Sequence, residues 1–482
     1  MDRTRLIEEL RGIVGAAGVV DNPVALMTYD ADGCMMDTGE PEVAVLPTST
    51  AQVSAIVRLA ARYDLPVVPR GAGTGLSGGA TPMRGGIVVS TVRMDRILQV
   101  DARNGRVLCQ PGVINWELSQ YLAPYGYQFA PDPSSQKVCT IGGNIANNSG
   151  GPHCLKYGTT TDHVLGLEVV LPDGSVVWTG DGSPETAGYD LTGVITGSEG
   201  TFGFVTAAWL KLTRLPEAVR VVMALYPDIA SASATVSQVI AGGFLPSALE
   251  IMDRLAIKAV NDMYKLGLPA SAGAALIVEV DGVEDGLDEL LNEIIAVCWR
   301  NGAIDVHPAR TPAEQAQVWS ARKNAFGAMG RLAPTYHLVD TVVPRTRLPY
   351  LMEQVGRISE EYHLPIANVF HAGDGNLHPI ILFDRRDPDQ NQRALEAATS
   401  VMHISIEQGG VISGEHGIGV EKQEYMPLLF SDDDLAAMAG LRQSFDPDDR
   451  FNPGKVFPKD RPYGKLAALR RSGVAVGEQA AS

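Results

Sequence analysis

Three of the chain's nine histidines, His371, His378 and His416, fall in two short glycine-rich stretches. Residues 371–378 read His-Ala-Gly-Asp-Gly-Asn-Leu-His, and residues 413–419 read Ser-Gly-Glu-His-Gly-Ile-Gly. His371 closes an apolar run, Asp374 and Gly375 make a tight turn, and His378 opens the returning run. A hairpin of that shape sets the two imidazoles side by side. With Glu415 they form a two-histidine, one-carboxylate set, which suits zinc or another divalent ion with open positions. A lone histidine in a tight loop more often bonds the backbone. Three of them with a glutamate among so many glycines favour a site. Neither stretch is His-Glu-x-x-His; zinc is the first expectation, with manganese or iron(II) as alternatives.

A second kind of chemistry is written at residues 69–80, Pro-Arg-Gly-Ala-Gly-Thr-Gly-Leu-Ser-Gly-Gly-Ala. Gly73, Gly75 and Gly78 match Gly-x-Gly-x-x-Gly, but the Rossmann turn needs a helix to start inside the motif. Here Thr81, Pro82 and a further strand follow, leaving no room for it. Glycines still let successive backbone N–H groups converge on an anion, with Thr74 and Ser77 adding hydroxyls. A flexible surface loop is the plain alternative. Residues 140–151 and 197–206 are two more glycine-rich loops, and three from one region can wrap a large polar ligand.

The elements that must position these residues are short. Strands are expected at 42–46, 65–68 (closed by Pro69), 86–90 and 106–110, with a helix after the capping signature of Ser49 and Gln52. Pro172-Asp173-Gly174 predicts a hairpin between 164–171 and 175–178. From about residue 219 strand-like runs (274–280, 338–344, 366–370, 379–383) alternate with helical ones (283–300, 349–362, 389–407). That order predicts an α+β domain with an antiparallel sheet. The expected division is a helical segment 1–40, a ligand-binding domain 41–217, a second domain 218–457 and a flexible tail 458–482.

At 482 residues the chain is too long for a single core. A net charge of −17 disfavours unaided contact with nucleic acid or anionic lipid. No run is long and apolar enough to span a bilayer, and Glu8, Glu9 and Arg11 break any signal-peptide core, so a cytoplasmic protein is expected. The five cysteines contain no Cys-x-x-Cys pair, which argues against an iron–sulfur cluster within the chain.

Residues 42–215 resemble the FAD-binding family of vanillyl-alcohol oxidase and p-cresol methylhydroxylase, with its two-subdomain FAD domain. The resemblance implies cofactor contacts at Pro69, Arg70, Gly71, Ala72, Gly73, Thr74, Gly75, Leu76 and Ser77. It implies others at Pro131, Asp132, Ser134, Ile141, Gly142, Gly143, Asn144, Asn147, Ser149, Gly150, Gly158, Glu199, Gly200 and Asn452. Members with covalent flavin carry a histidine in the first loop; this loop has none, so non-covalent FAD is expected. Over residues 42–457 the chain resembles FAD-linked 2-hydroxy acid dehydrogenases. The wording around 321–330, 367–383 and 409–419 is nearest to flavin (D) subunits of bacterial glycolate oxidase. That likeness implies metal ligation by His371, His378 and Glu415, a base at His416 and a carboxylate clamp at Arg322. The 2-hydroxyglutarate branch has a lysine where this chain has Leu338, two residues before Asp340, which favours a small acid.

The expectation is therefore FAD-dependent oxidation of a small 2-hydroxy acid, glycolate first, with hydride passing to flavin N5. Electrons would leave through partner subunits, one an iron–sulfur protein, or a soluble carrier; such partners could hold the chain at the inner face of the cell membrane. Rival readings are a stand-alone D-lactate dehydrogenase, a metal-dependent hydrolase and a non-catalytic flavin subunit.

Overall fold

The short apolar runs near the start of the chain become a four-stranded sheet. The computed structural model describes residues 2–34, 37–183, 187–264, 267–269 and 271–458. Strands β1 (Val19–Val20), β2 (Val43–Val45), β3 (Val67–Arg70) and β4 (Ile87–Ser90) lie in the order β1-β2-β4-β3. The β2–β4 and β4–β3 pairs are parallel. Parallel strands need a crossover, and helix Thr50–Tyr63 supplies it between β2 and β3. Ser49 caps that helix by accepting from the Gln52 N–H. The Gln52 side chain instead accepts from the Thr48 N–H at 2.7 Å, one residue short of a reciprocal box. Val53, Ile56, Val57 and Ala60 bury one helix face with Leu6, Leu10 and the strand residues Val43, Val67 and Val89.

Pro69 does not end its strand as expected. It pairs with Val89 inside β3, on the edge of the sheet. Val67, two residues earlier, faces outward and exchanges backbone bonds with Arg450 and Asn452. Position 69 faces the same way, so its missing N–H removes no bond to β4.

A second, antiparallel sheet holds β5 (Ile97–Asp101), β6 (Arg106–Cys109), β7 (Val164–Val170), β8 (Val176–Trp178) and β9 (Phe204–Lys211), ordered β5-β6-β9-β7-β8. Its inward residues, among them Val107, Leu167 and Ala208, pack on Leu118 and Leu122 of helix Asn115–Leu122. Residues 140–151, read from sequence as a glycine loop, contain a helix, Ile141–Asn147, capped by Thr140. Gly142 and Gly143 are poor helix formers, but burial of Ile141 and Ile145 overrides local propensity. These elements belong to one unit, Met1–Ser149 with Thr159–Arg214 and Glu415–Ser482. Beyond Pro458 the tail expectation lies outside the described residues.

The second unit comprises Gly150–Gly158 and Leu215–Gly414. Its nine-stranded sheet is built from β10 (Ala218–Tyr226), β11 (Ala248–Asp253), β12 (Ala274–Gly282), β13 (Asp305–Ala309), β14 (Thr335–Leu338), β15 (Thr341–Val342), β16 (Ile366–His371), β17 (Asn376–Leu377) and β18 (Pro379–Phe383). The main path is β13-β10-β12-β11-β16-β17-β15, with β14 joined through β18 to β16, and every pair is antiparallel. Helices Ile229–Ala241 and Leu287–Arg300 pack against it. The register places Glu250 directly opposite His371 across the β11–β16 pair.

Candidate active site

In the first unit three backbone segments converge. A Cβ on Gly71 would meet Thr140 Oγ1 at 2.5 Å, and one on Gly200 would meet Pro69 at 3.0 Å. The Gly197 and Glu199 N–H groups donate to Ile145 and Ala146 at the end of helix Ile141–Asn147. Asn115 donates from one amide to the Pro131 carbonyl (2.9 Å) and to Asn144 Oδ1 (3.0 Å), tying the fourth segment in. No helical turn forms within residues 71–80. Among the described residues, the backbone N–H groups of Ala72 to Leu76 have no protein acceptor. A run of unpaired donors with Gly73 at φ 72° can wrap an anion.

Several side chains expected to touch cofactor are committed elsewhere. The Arg70 guanidinium donates to the carbonyls of Ala31 (2.7 Å) and Thr28 (3.2 Å). Ser77 Oγ and Asn147 Nδ2 both donate to the His416 carbonyl, at 2.9 and 3.0 Å. Glu199 is buried and accepts from the N–H groups of Ile418 (2.7 Å) and Gly419 (2.8 Å). Burial pushes its pKa up, while those amides pull it back. Asn452 Nδ2 donates to Gly79 and Glu199 carbonyls, both at 2.7 Å. These residues build the loop; what they leave for a ligand is main chain. Gly150 and Gly158 lie in the second unit, at the ends of its inserted segment.

In the second unit the turn between β16 and β17 needs Gly375, whose φ is 74° and whose Cβ would strike the Val343 carbonyl at 2.1 Å. It brings the His371 and His378 rings to 5.2 Å, nearly perpendicular at 89°. His371 Nδ1 lies 2.6 Å from Glu250 Oε1. Glu250 Oε2 accepts from Arg322 Nε, also at 2.6 Å. Arg322 is 1% exposed, and its Nη2 finds no hydrogen-bond partner among the described residues. His378 Nδ1 stands 3.8 Å from Asp340 Oδ1, and the other Asp340 oxygen accepts from Ser413 Oγ and the Gly414 N–H. Glu415, the next residue, opens the last segment of the first unit, with His416 after it.

Residues 215–456 match the family model for FAD linked oxidases, C-terminal domain, and residues 41–180 match the FAD binding domain. The chain is 42% identical over 458 residues to the glycolate oxidase subunit GlcD of Escherichia coli K12, covering 95% of this chain and 92% of that one. The chain belongs to the FAD-linked oxidase family. It is also 34% identical over 427 residues to a D-lactate dehydrogenase of Anaerostipes hadrus, covering 86% of this chain and 89% of the relative. In fold it is similar to p-cresol methylhydroxylase, with a TM-score of 0.80 at 16% identity over 95% of this chain and 97% of that structure. This FAD-linked oxidase therefore has the two-domain flavoprotein fold that its loops resemble, and it is a flavoenzyme.

FAD fits the first unit. A dinucleotide needs convergent N–H donors for its diphosphate, and the amides of residues 72–76, which have no acceptor among the described residues, would supply them. A divalent cation fits the donor chemistry of the second. The carboxylate of Glu250 faces His371 Nδ1 at 2.6 Å, so a ring that carries its proton there would turn its Nε2 lone pair to such an ion. Sequence reading missed Glu250, Glu279 and His153. Glu279 accepts from Trp319 Nε1 at 2.6 Å and meets His153 Nε2 at 2.9 Å. A charged residue inside an apolar run (Ala248–Asp253 and Ala274–Gly282) was the available signal, since such a residue is buried only when paired.

Proposed function

We propose that this FAD-linked oxidase oxidises a small 2-hydroxy acid, glycolate first, to the 2-oxo acid. The observation that carries the reading is the buried Arg322, whose Nη2 finds no partner among the described residues and whose Nε is joined through Glu250 to His371, a ring perpendicular to that of His378. Arg322 holds the substrate carboxylate; desolvation strengthens that charge-assisted bond and fixes which face of the α-carbon is presented. His416 takes the hydroxyl proton, imidazole being the side chain that ordinarily changes charge near neutral pH. Its main chain is fixed by Ser77 and Asn147, so the base is positioned by the FAD-binding unit. His371, His378 and Glu415 would hold a divalent ion, zinc first, that supplies Lewis-acid charge for the developing alkoxide. FAD, held without a covalent bond, supplies the two-electron acceptor that no side chain can.

Leu338, buried at the end of β14, supports a small acid, because an apolar side chain cannot pair with a distal carboxylate. The name of the Escherichia coli relative, a subunit, supports electron transfer to a partner protein. The Anaerostipes relative favours a second reading, a D-lactate dehydrogenase that acts alone. No described helix is long and apolar enough to cross a membrane. Any hold on the cytoplasmic face would come from partners. Anaerobic mixing of the purified yellow protein with glycolate, D-lactate and D-2-hydroxyglutarate tests the proposal. Glycolate should bleach the flavin fastest; D-lactate fastest gives the second reading, and bleaching by none of them sinks both.

A further inference from the structure

Glu250 touches both the proposed metal ligand and the proposed substrate clamp. It is fully buried on β11, and each carboxylate oxygen serves a different partner: Oε1 meets His371 Nδ1 and Oε2 accepts from Arg322 Nε, both at 2.6 Å. We propose that Glu250 is a positioning residue that couples metal affinity to the arginine clamp, an inference that rests on the roles given above to His371 and Arg322. The coupling follows from counting acceptors. A carboxylate can accept at both oxygens, so the Arg322 Nε–H and the His371 Nδ1–H are satisfied together. His371 is then held in the tautomer that carries its proton on Nδ1 and its lone pair on Nε2, the form that ligates metal. The same contact holds the guanidinium so that Nη2 is left for an anion.

A glutamine of the same shape offers one acceptor oxygen and one NH2. The Arg322 Nε–H is always a donor and claims the oxygen. The NH2 then faces His371 Nδ1, which must accept, and the ring proton moves to Nε2, where it blocks ligation. Removing the arginine as well frees the glutamine oxygen to accept from Nδ1–H and restores the ligating tautomer. The prediction is thus that a second substitution rescues zinc binding lost in the first. A merely structural role for Glu250 gives no such rescue.

The test is zinc affinity of the full, FAD-loaded chain after chelator treatment, measured by equilibrium dialysis, with flavin absorbance as the control for folding. Glu250→Gln should bind zinc about 10–100-fold more weakly than wild type, the usual loss for a contact behind a ligand. Glu250→Gln with Arg322→Met should return to within about fivefold of wild type, one ordinary hydrogen bond's worth. Zinc bound by Glu250→Gln as tightly as by wild type, or a double variant as weak as the single, overturns the inference. A wild-type chain that takes up no zinc overturns the metal reading itself. If Glu250→Gln does not yield folded protein, Arg322→Met combined with Glu250→Gln or with Glu250→Ala carries the same comparison. The glutamine pair should bind zinc at least about tenfold tighter than the alanine pair, and equal affinity overturns the coupling.

Discussion

The glycine loops of the first unit and the histidine hairpin of the second solve opposite problems with opposite materials. The loops present main chain: the amides of Ala72 to Leu76 have no acceptor among the described residues, while the side chains of Arg70, Ser77, Asn147 and Glu199 bond protein backbone. The hairpin presents side chains with buried carboxylates behind them: Glu250 binds His371 and Arg322, and Asp340 lies 3.8 Å from His378. A backbone site should therefore resist loss of side chains and fail when a Cβ is added. A side-chain site should do the reverse.

The largest expected effect sharpens that contrast at His416, in the last segment of the first unit. Its carbonyl is the acceptor for Ser77 and Asn147, and alanine keeps that carbonyl. His416→Ala should retain FAD while substrate-driven bleaching slows by about 10²–10⁴-fold, the range for a lost general base. Stopped-flow absorbance reads both quantities; bleaching near the wild-type rate would remove His416 from the chemistry.

Next comes the backbone itself. Gly71→Val forces a Cβ to within 2.5 Å of Thr140 Oγ1, the cap of helix Ile141–Asn147, and the loop must move. FAD affinity should fall more than about tenfold, since one displaced charge-assisted contact already costs roughly 1.5–3 kcal/mol. Thr74→Ala removes only a hydroxyl and should hold FAD within about fivefold. Flavin content after gel filtration separates the two, and equal losses would break the contrast between main-chain and side-chain sites.

A smaller effect is expected at Trp319, whose Nε1 donates to Glu279 one turn of helix before Arg322. Trp319→Phe keeps the ring and deletes the donor, leaving a buried carboxylate oxygen short of a partner. The substrate KM should rise about three- to tenfold with kcat little changed, because the clamp is displaced and the base is not. A fall in kcat alone would place Trp319 in the chemical step instead.

What sequence could and could not show follows the same line. Glycine clusters and paired histidines are legible because they are rare and costly unless used, so the flavoprotein fold, the hairpin and its turn could be read before any coordinates. The carboxylates behind the histidines were hidden by their surroundings. Glu250 sits in Ala248–Asp253, a run whose buried neighbours read as ordinary core, and its partners are 72 and 121 residues away. Only strand register puts it opposite His371. Helix Ile141–Asn147 was hidden for the opposite reason, since its glycines argue locally for a loop and tertiary packing overrules them.

The smallest effect sets the two units against each other through pH. In the second unit, burial raises the Asp253 pKa to about 6, against the pull of the amides of Ala256 and Asn368. The native state then holds a proton that the unfolded chain releases near pH 4, so this contribution is full below about pH 4 and is lost as pH rises through 6. In the first unit, burial lowers the Lys455 pKa to about 8. There the native state releases a proton that the unfolded chain keeps, so stability rises as pH climbs from about 8 toward 10.5. Hydrogen exchange should show the second unit loosening between pH 4 and 6 while the first tightens above pH 8. Asp253→Asn should flatten the acid limb by about 2–4 °C in the melting temperature of the second unit, the size of roughly 1 kcal/mol in a unit of about 200 residues. An unchanged slope in that variant would mean Asp253 is solvated enough to titrate normally, and the loss of stability would have to be sought among the other buried carboxylates.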